Sequence, residues 1–256
     1  MLHRLKRHPW AVNAHFDWSL ALVFAIPAAT ARGLLGPGLE PDLYGESGFV
    51  AAAFVQTRRL LPVGMPRFLA QDFFLAGMRV FARARLPDGR TVRGLRILGS
   101  ATDSWRMKIA DDLISHYHYQ KVTALVTRTS ESLGITVRDR AGKVTARLDV
   151  DLRKAEKPPP GSPFPDLRTA RRFAGPMPYT FTHEPETQSL ILVEGVREHW
   201  EPRPVTVDPG CLDFFTGPPF AAAGQLPQLA NAFFVEHVDY HWKRGVLVPI
   251  QPSSTV

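Results

Sequence analysis

Proline and glycine interrupt this chain so often that long helices are excluded: 23 Pro and 19 Gly punctuate 256 residues. Proline removes a backbone donor and clashes with a helical turn, and glycine adds the most freedom to the unfolded chain. The apolar runs left between them are short and rich in Val, Phe, Leu and Thr, the composition of strands bounded by turns. The expected class is α+β, predominantly antiparallel β, with a few short helices.

Individual segments sharpen this. Phe16 to Ile26 reads as a strand, followed by a short helix from Ala28 to Leu35 with Pro27 at its first position and Gly36 past its end. Gly36-Pro37-Gly38 forces a turn. Phe49 to Gln56 is a strand of small residues, and Arg58 to Phe68, with Pro62, Gly64 and Pro66, reads as a loop. Leu75 to Leu86 and Thr91 to Ala101 flank Pro87-Asp88-Gly89-Arg90, whose Asp-Gly supplies the positive-φ residue of a tight hairpin. Ser104 to Ser115 is helical. Lys121 to Thr129, Gly134 to Asp139 and Val144 to Leu152 form a second meander. Thr180 to His183, Ser189 to His199, Arg203 to Asp208, Ala232 to Trp242 and Gly245 to Ile250 continue the strands. They need partners from the first half, because a remainder of a few strands is marginal alone. The expectation is one domain over residues 1–256, with the Pro-rich segment at about 154–165 as a surface loop.

Charge and composition narrow the functional classes. The formal charge is +7, and Arg79, Arg83, Arg85, Arg90, Arg93, Arg96 and Arg106 crowd one stretch. On a hairpin they alternate between faces and no nucleic-acid motif accompanies them, so a solvated outer face is expected and no nucleic-acid partner. The most apolar segment, Phe16 to Ala29, is too short to cross a bilayer and contains Asp17 and Pro27, so no membrane partner is expected. The single Cys211 cannot form an intramolecular disulfide, which suits a reducing cytoplasm. Ser100, Ser104 and Ser115 lack nucleophile-elbow glycines, and no glycine-rich phosphate cradle is present, so neither a hydrolase nor a nucleotide cofactor is indicated.

Several stretches are distinctive in their order: Phe24-Ala25-Ile26-Pro27, Gly36-Pro37-Gly38-Leu39-Glu40-Pro41-Asp42, Gly48-Phe49-Val50-Ala51-Ala52-Ala53-Phe54-Val55-Gln56-Thr57, Asp72-Phe73-Phe74-Leu75-Ala76-Gly77-Met78-Arg79-Val80 and Ser115-His116-Tyr117-His118-Tyr119. Together they resemble a bacterial domain family of the acetoacetate-decarboxylase-like superfamily. The resemblance implies a closed, cone-like antiparallel β fold with flanking short helices around a pocket. It also implies a Schiff-base lysine acting on a keto acid or related carbonyl compound. The corresponding segment here is His118-Tyr119-Gln120-Lys121, with one Lys where the decarboxylase has two, and Leu75 stands where an acidic residue is common. An amine attacks a carbonyl only when neutral, so without the adjacent cation Lys121 would depend on burial or on His116 and His118 for a lowered pKa.

The resulting site reading has Lys121 as the amine, Arg79 as a bidentate carboxylate clamp, and His116 and His118 as acid-base groups. Tyr117, Tyr119, Gln56 and Phe74 are substrate-binding candidates. A His-x-His pair can also chelate a transition metal, with Glu236, His237, Asp239 and His241 as further ligands, whereas the same rings can line a barrel through hydrogen bonds. The reading adopted has no metal and no cofactor. The expected partner is a small molecule, in a possible homo-oligomer. Three functions stay open: a decarboxylase-like lyase, a non-catalytic ligand-binding protein using the same pocket, or an enzyme of another class using His116 and His118.

Overall fold

The computed structural model describes residues 6–114, 117–175, 177–218, 220 and 227–250. The long strands come first. β1 (Val12–Pro27) enters the short helix α1 (Ala28–Gly33), with Pro27 as its N-cap, one place earlier than expected. β2 (Leu39–Pro41), β3 (Ser47–Pro62), β4 (Gln71–Arg85) and β5 (Thr91–Thr102) follow, then helix α2 (Trp105–Ile114) and β6 (Tyr119–Lys121). The Arg58 to Phe68 loop is shorter than its prolines suggest: β3 runs on to Pro62, which sits opposite Val12 at the end of its ladder, where a missing N–H costs little.

The meander β7 (Thr123–Arg128), β8 (Ser132–Arg138) and β9 (Val144–Asp151) is followed by helix α3 (Leu167–Ala174), which the sequence reading left out. Asp166 caps α3 by accepting from the Thr169 N–H at 2.7 Å. The remaining strands are β10 (Tyr179–Glu184), β11 (Ser189–Arg197), β12 (Arg203–Pro204), β13 (Thr206–Leu212), β14 (Gln228–Trp242) and β15 (Val246–Pro249).

Strands from both halves of the chain share one sheet in the order β14-β1-β3-β4-β5-β10-β11, and β11 pairs back to β14, which closes a ring. Every pairing around the ring is antiparallel except β5 with β10, which is parallel over Tyr179 to Phe181. That joint needs Gly94, because a Cβ there would lie 2.6 Å from the Tyr179 carbonyl oxygen. A second, four-stranded sheet, β13-β9-β8-β7, packs on the outside of the ring.

The two faces of the ring strands carry different side chains. Outward-facing Trp18, Leu20, Leu22 and Phe24 of β1, Phe54 of β3, Phe74 of β4 and Phe234 of β14 interlock with Leu133, Ile135, Leu148 and Val150 of the second sheet. Burying each such side chain contributes roughly 1.5–3 kcal/mol, and this layer is the main core. Inside the ring, Phe49, Phe81 and Phe164 join Ala170 and Ala174 of α3 in a plug at one end.

Two expectations about surface segments are refined. The Pro-rich segment is pinned, not free: the Ala155 N–H donates to the Pro204 carbonyl at 2.9 Å, the Ser162 hydroxyl donates to the Ala230 carbonyl at 2.7 Å, and Phe164 is buried. The arginine-rich hairpin is not simply a solvated face. Arg83 and Arg93 each donate from Nε to opposite oxygens of Asp42, at 2.5 and 2.6 Å, and that carboxylate is fully buried. The shared carboxylate fastens the segment after β2 to β4 and β5, and Arg93 also donates to the Phe173 carbonyl in the last turn of α3.

Candidate functional site

Between the plug and the other end of the ring lies a chamber of about 160 Å³. It exists because the inward residues are small where the outward ones are large: Ser19 and Ala21 alternate with Leu20 and Leu22, and Ala51 and Ala53 with Ala52 and Phe54. Phe16, Leu75, Phe81 and Phe233 add apolar walls, and Ala174, Gly175 and Met177 cover it from the α3 side. A cavity of about 150 Å³ holds a benzene-sized guest, so the chamber, which opens partly to solvent, has room for a small molecule.

A local irregularity brings Phe16 in. Strict alternation would put Phe16 on the same face as Trp18, but β1 carries an extra residue at Asp17 opposite β3, and the phase reverses there. The bulge is fastened by Arg58, which donates to Asp17 at 2.7 Å and to Asp72 at 3.1 Å. On β14 the inward phase likewise changes at His237, whose φ is 51°, so that Phe233 and then Tyr240 and Trp242 reach the chamber.

Two arginines supply the chamber's charge. Arg79, partly buried in the middle of β4, folds its guanidinium back over Gly77: a Cβ at Gly77 would stand 3.2 Å from Nη2. Among the described residues it has no ion pair and no hydrogen-bond partner. Arg197 at the end of β11 donates to the Tyr240 hydroxyl at 3.0 Å and lies 5.0 Å from the Trp200 ring and 5.6 Å from the Tyr240 ring. Gly195 makes that arrangement possible, since a Cβ there would collide with the Tyr240 hydroxyl oxygen at 2.1 Å. Among the described residues no Asp, Glu, His or Lys lines the chamber.

The predicted residues fall into separate places. Arg79 lines the chamber. Tyr117 and Tyr119 join the apolar cluster of Phe16, Leu75, Tyr240 and Trp242, with their rings 6.5 Å apart. Burial pushes both phenols well above the ordinary tyrosine range, while the positive charge of Arg79 works against that shift. The buried Asp111 carboxylate accepts from the Tyr119 N–H at 3.0 Å and anchors this segment to α2.

Four of the expected residues stand elsewhere. His118 is exposed with φ 51°, so the segment turns its phenols in and this imidazole out, and the expected alternation of rings places His118 away from the chamber. Phe74 belongs to the main core, packed on Trp18 and Phe54, and Gln56 alternates with the inward Val55. His116 lies outside the described residues. Lys121 is not among the chamber's lining residues: its amine donates to the Val122 carbonyl at 2.9 Å and sits 5.8 Å from the Trp105 ring.

The carboxylate and imidazole groups of β14 form an outer cluster. His15 hydrogen-bonds Asp239 at 2.8 Å and stacks with His237 at 6.1 Å, while His241 pairs with Asn13 at 2.6 Å. Among the described residues no group of three or more His, Cys, Asp or Glu is arranged to hold a metal ion.

With the ring, chamber and arginines in view, the solved structures can be compared. The chain superimposes on the enduracididine biosynthesis enzyme MppR, complexed with the condensation product of pyruvate and imidazole 4-carboxaldehyde, with a TM-score of 0.63 at 13% identity over 95% of this chain and 91% of that one. The chain has the acetoacetate-decarboxylase-like fold. An acetoacetate decarboxylase-like enzyme from Sphingomonas wittichii RW1 matches this fold with a TM-score of 0.59 at 12% identity, over 95% and 94% of the two chains. Acetoacetate decarboxylase from Legionella pneumophila gives 0.60 at 11% identity, over 92% and 86%. No protein-family model matches the sequence, and no curated protein matches it. No helix among the described residues is long and apolar enough to cross a membrane.

Sequence reasoning missed Arg197, Tyr240 and Trp200. A usable signal was present: Gly195-Val196-Arg197 repeats the spacing of Gly77-Met78-Arg79, and a glycine inside a strand marks a close approach by another group.

Proposed function

We propose that the chamber binds a small organic acid through Arg79, without forming an imine. The observation that carries this reading is a guanidinium with no protein partner among the described residues, placed in a largely apolar chamber. A cation removed from water costs up to several kcal/mol unless paired, so a carboxylate bound beside the half-buried Arg79 would offset part of that cost. At 4 Å and an effective dielectric of 20 the attraction is worth about 4 kcal/mol, set against the carboxylate's own desolvation and the freedom lost on binding.

Among the described residues the lining offers no amine, and the amine of Lys121 is engaged with the Val122 carbonyl, which favours binding over Schiff-base chemistry. The likeness to MppR in complex with a pyruvate condensation product supports the size and class of guest, since the two chains share a fold.

The test pairs binding with trapping. Pyruvate, acetoacetate and butyrate are expected to raise the melting temperature at millimolar concentration, and Arg79→Met is expected to remove the rise. Borohydride added with each keto acid, followed by peptide mapping, is expected to leave Lys121 unmodified. Added mass at Lys121 would replace this reading with an imine-forming enzyme. No rise with any acid would end it.

A further inference from the structure

We propose that the ligand is a dianion, a short dicarboxylate held at one end by Arg79 and at the other by Arg197; this rests on the reading of the chamber as an organic-acid site. The argument is one of charge. The lining holds two guanidiniums and, among the described residues, no carboxylate. Elsewhere in this protein most half-buried arginines are matched by a carboxylate: Arg83 and Arg93 share Asp42, Arg7 pairs with Glu184 at 2.9 Å and Arg203 with Glu236 at 3.0 Å, while Arg96 donates to the Leu34 carbonyl.

The two chamber arginines are held differently. Among the described residues Arg197 is placed by neutral groups only: the Tyr240 hydroxyl, the Met177 carbonyl at 3.5 Å and the faces of Trp200 and Tyr240. These fix its direction without neutralising it, and the remaining N–H donors of its fork stay available. Tyr117 and Tyr119 cannot serve as counterions, because burial keeps their phenols protonated. A monoanion therefore leaves one half-buried cation unmatched in a largely apolar chamber, and like charges sharing that chamber repel. A dianion matches both.

The walls between the arginines are apolar, with Ala21, Ala53, Leu75 and Phe233 among them. They suit a short hydrocarbon or keto-bearing backbone with a charge at each end. The volume favours about four or five carbons, since a cavity of this size holds only a benzene-sized guest or slightly more.

Calorimetry with succinate and with succinamate, which has the same length and one charge fewer, separates the possibilities on the unmodified protein. Malonate and glutarate set the length. The dicarboxylate of best length is expected to bind at least about ten-fold more tightly than its monoamide. In Arg197→Gln the ratio should collapse to about two-fold, the statistical advantage of two equivalent ends, because the dicarboxylate loses far more affinity than its monoamide. Equal affinities for the dicarboxylate and its monoamide in the unmodified protein would overturn the dianion proposal and leave the organic-acid reading standing. Equal weakening of both ligands by Arg197→Gln would also overturn it, showing that Arg197 only frames the chamber. If Arg197→Gln does not fold, the monoamide comparison decides alone. Binding by none of these acids would end both readings.

Discussion

The two faces of the same ring strands behave as different materials. On β1 the outward residues Trp18, Leu20, Leu22 and Phe24 are all buried in the interlocked layer under the second sheet, while the inward Ser19, Ala21 and Val23 border the chamber. On β4 the outward Phe74, Ala76 and Val80 are packed solid, and the inward Gly77 gives way to the guanidinium of Arg79. One face therefore supplies the burial that holds the ring closed. The other gives up burial for a void and keeps an unmatched charge. Stability and ligand binding are thus written into alternate residues of the same strands, and substitutions one residue apart should separate them.

The largest effect is expected from breaking the solid face. Phe54→Ala empties a fully buried site beside Phe74 and should destabilise by about 3–5 kcal/mol in urea denaturation. Alkaline pH should come next. The phenols of Tyr117 and Tyr119 are raised above the unfolded value of about 10, so the native state keeps protons that the unfolded chain gives up. Stability is then fully present below about pH 10 and falls above it, by up to about 1.4 kcal/mol per pH unit for each phenol. Denaturation midpoints across this range should show the fall, and replacing both by Phe should flatten it.

Gly195→Ala should cost about 1–3 kcal/mol, because the new methyl displaces the Tyr240 ring at the joint where β11 meets β14, and it should release Arg197 from its hydroxyl partner. Arg79→Met should move stability the other way, by up to about 1 kcal/mol, since it removes an unmatched charge from an apolar chamber; thermal melts without ligand would show the sign. Ala53→Leu should change stability least, within about 1 kcal/mol, while filling the chamber and abolishing the ligand-dependent rise in melting temperature. A large loss of stability there would mean that the chamber is already filled and that the two faces are alike.

Much of the strand framework was legible in the sequence. The hairpin around Pro87-Asp88-Gly89-Arg90 forms as expected, with Gly89 at φ 83°, because its turn chemistry is local. The meander from Thr123 to Asp151 follows from alternation that any one-sided sheet requires. Helix α3 was missed because its eight residues bury little beyond Ala170 and Ala174, and its place depends on the distant Phe49 and Phe81. In the site, Arg79 was readable as a charge inside an apolar strand. Phe74 and Gln56 are not among the chamber's lining residues, and motif order does not reveal which face of a strand looks inward.

By itself, the sequence determined the class of structure, since proline and glycine spacing and period-two hydrophobicity are properties of the chain one neighbour at a time. The tertiary structure alone decided which face became the chamber. That choice depends on the Asp17 bulge, on the phase change at His237 and on β11 reaching β14, contacts between residues up to hundreds of positions apart. It also decided that Arg79 and Arg197, 118 positions apart (197 − 79), share one enclosure. Local preferences carry no information about such encounters, because ring closure fixes them only when all the strands have paired.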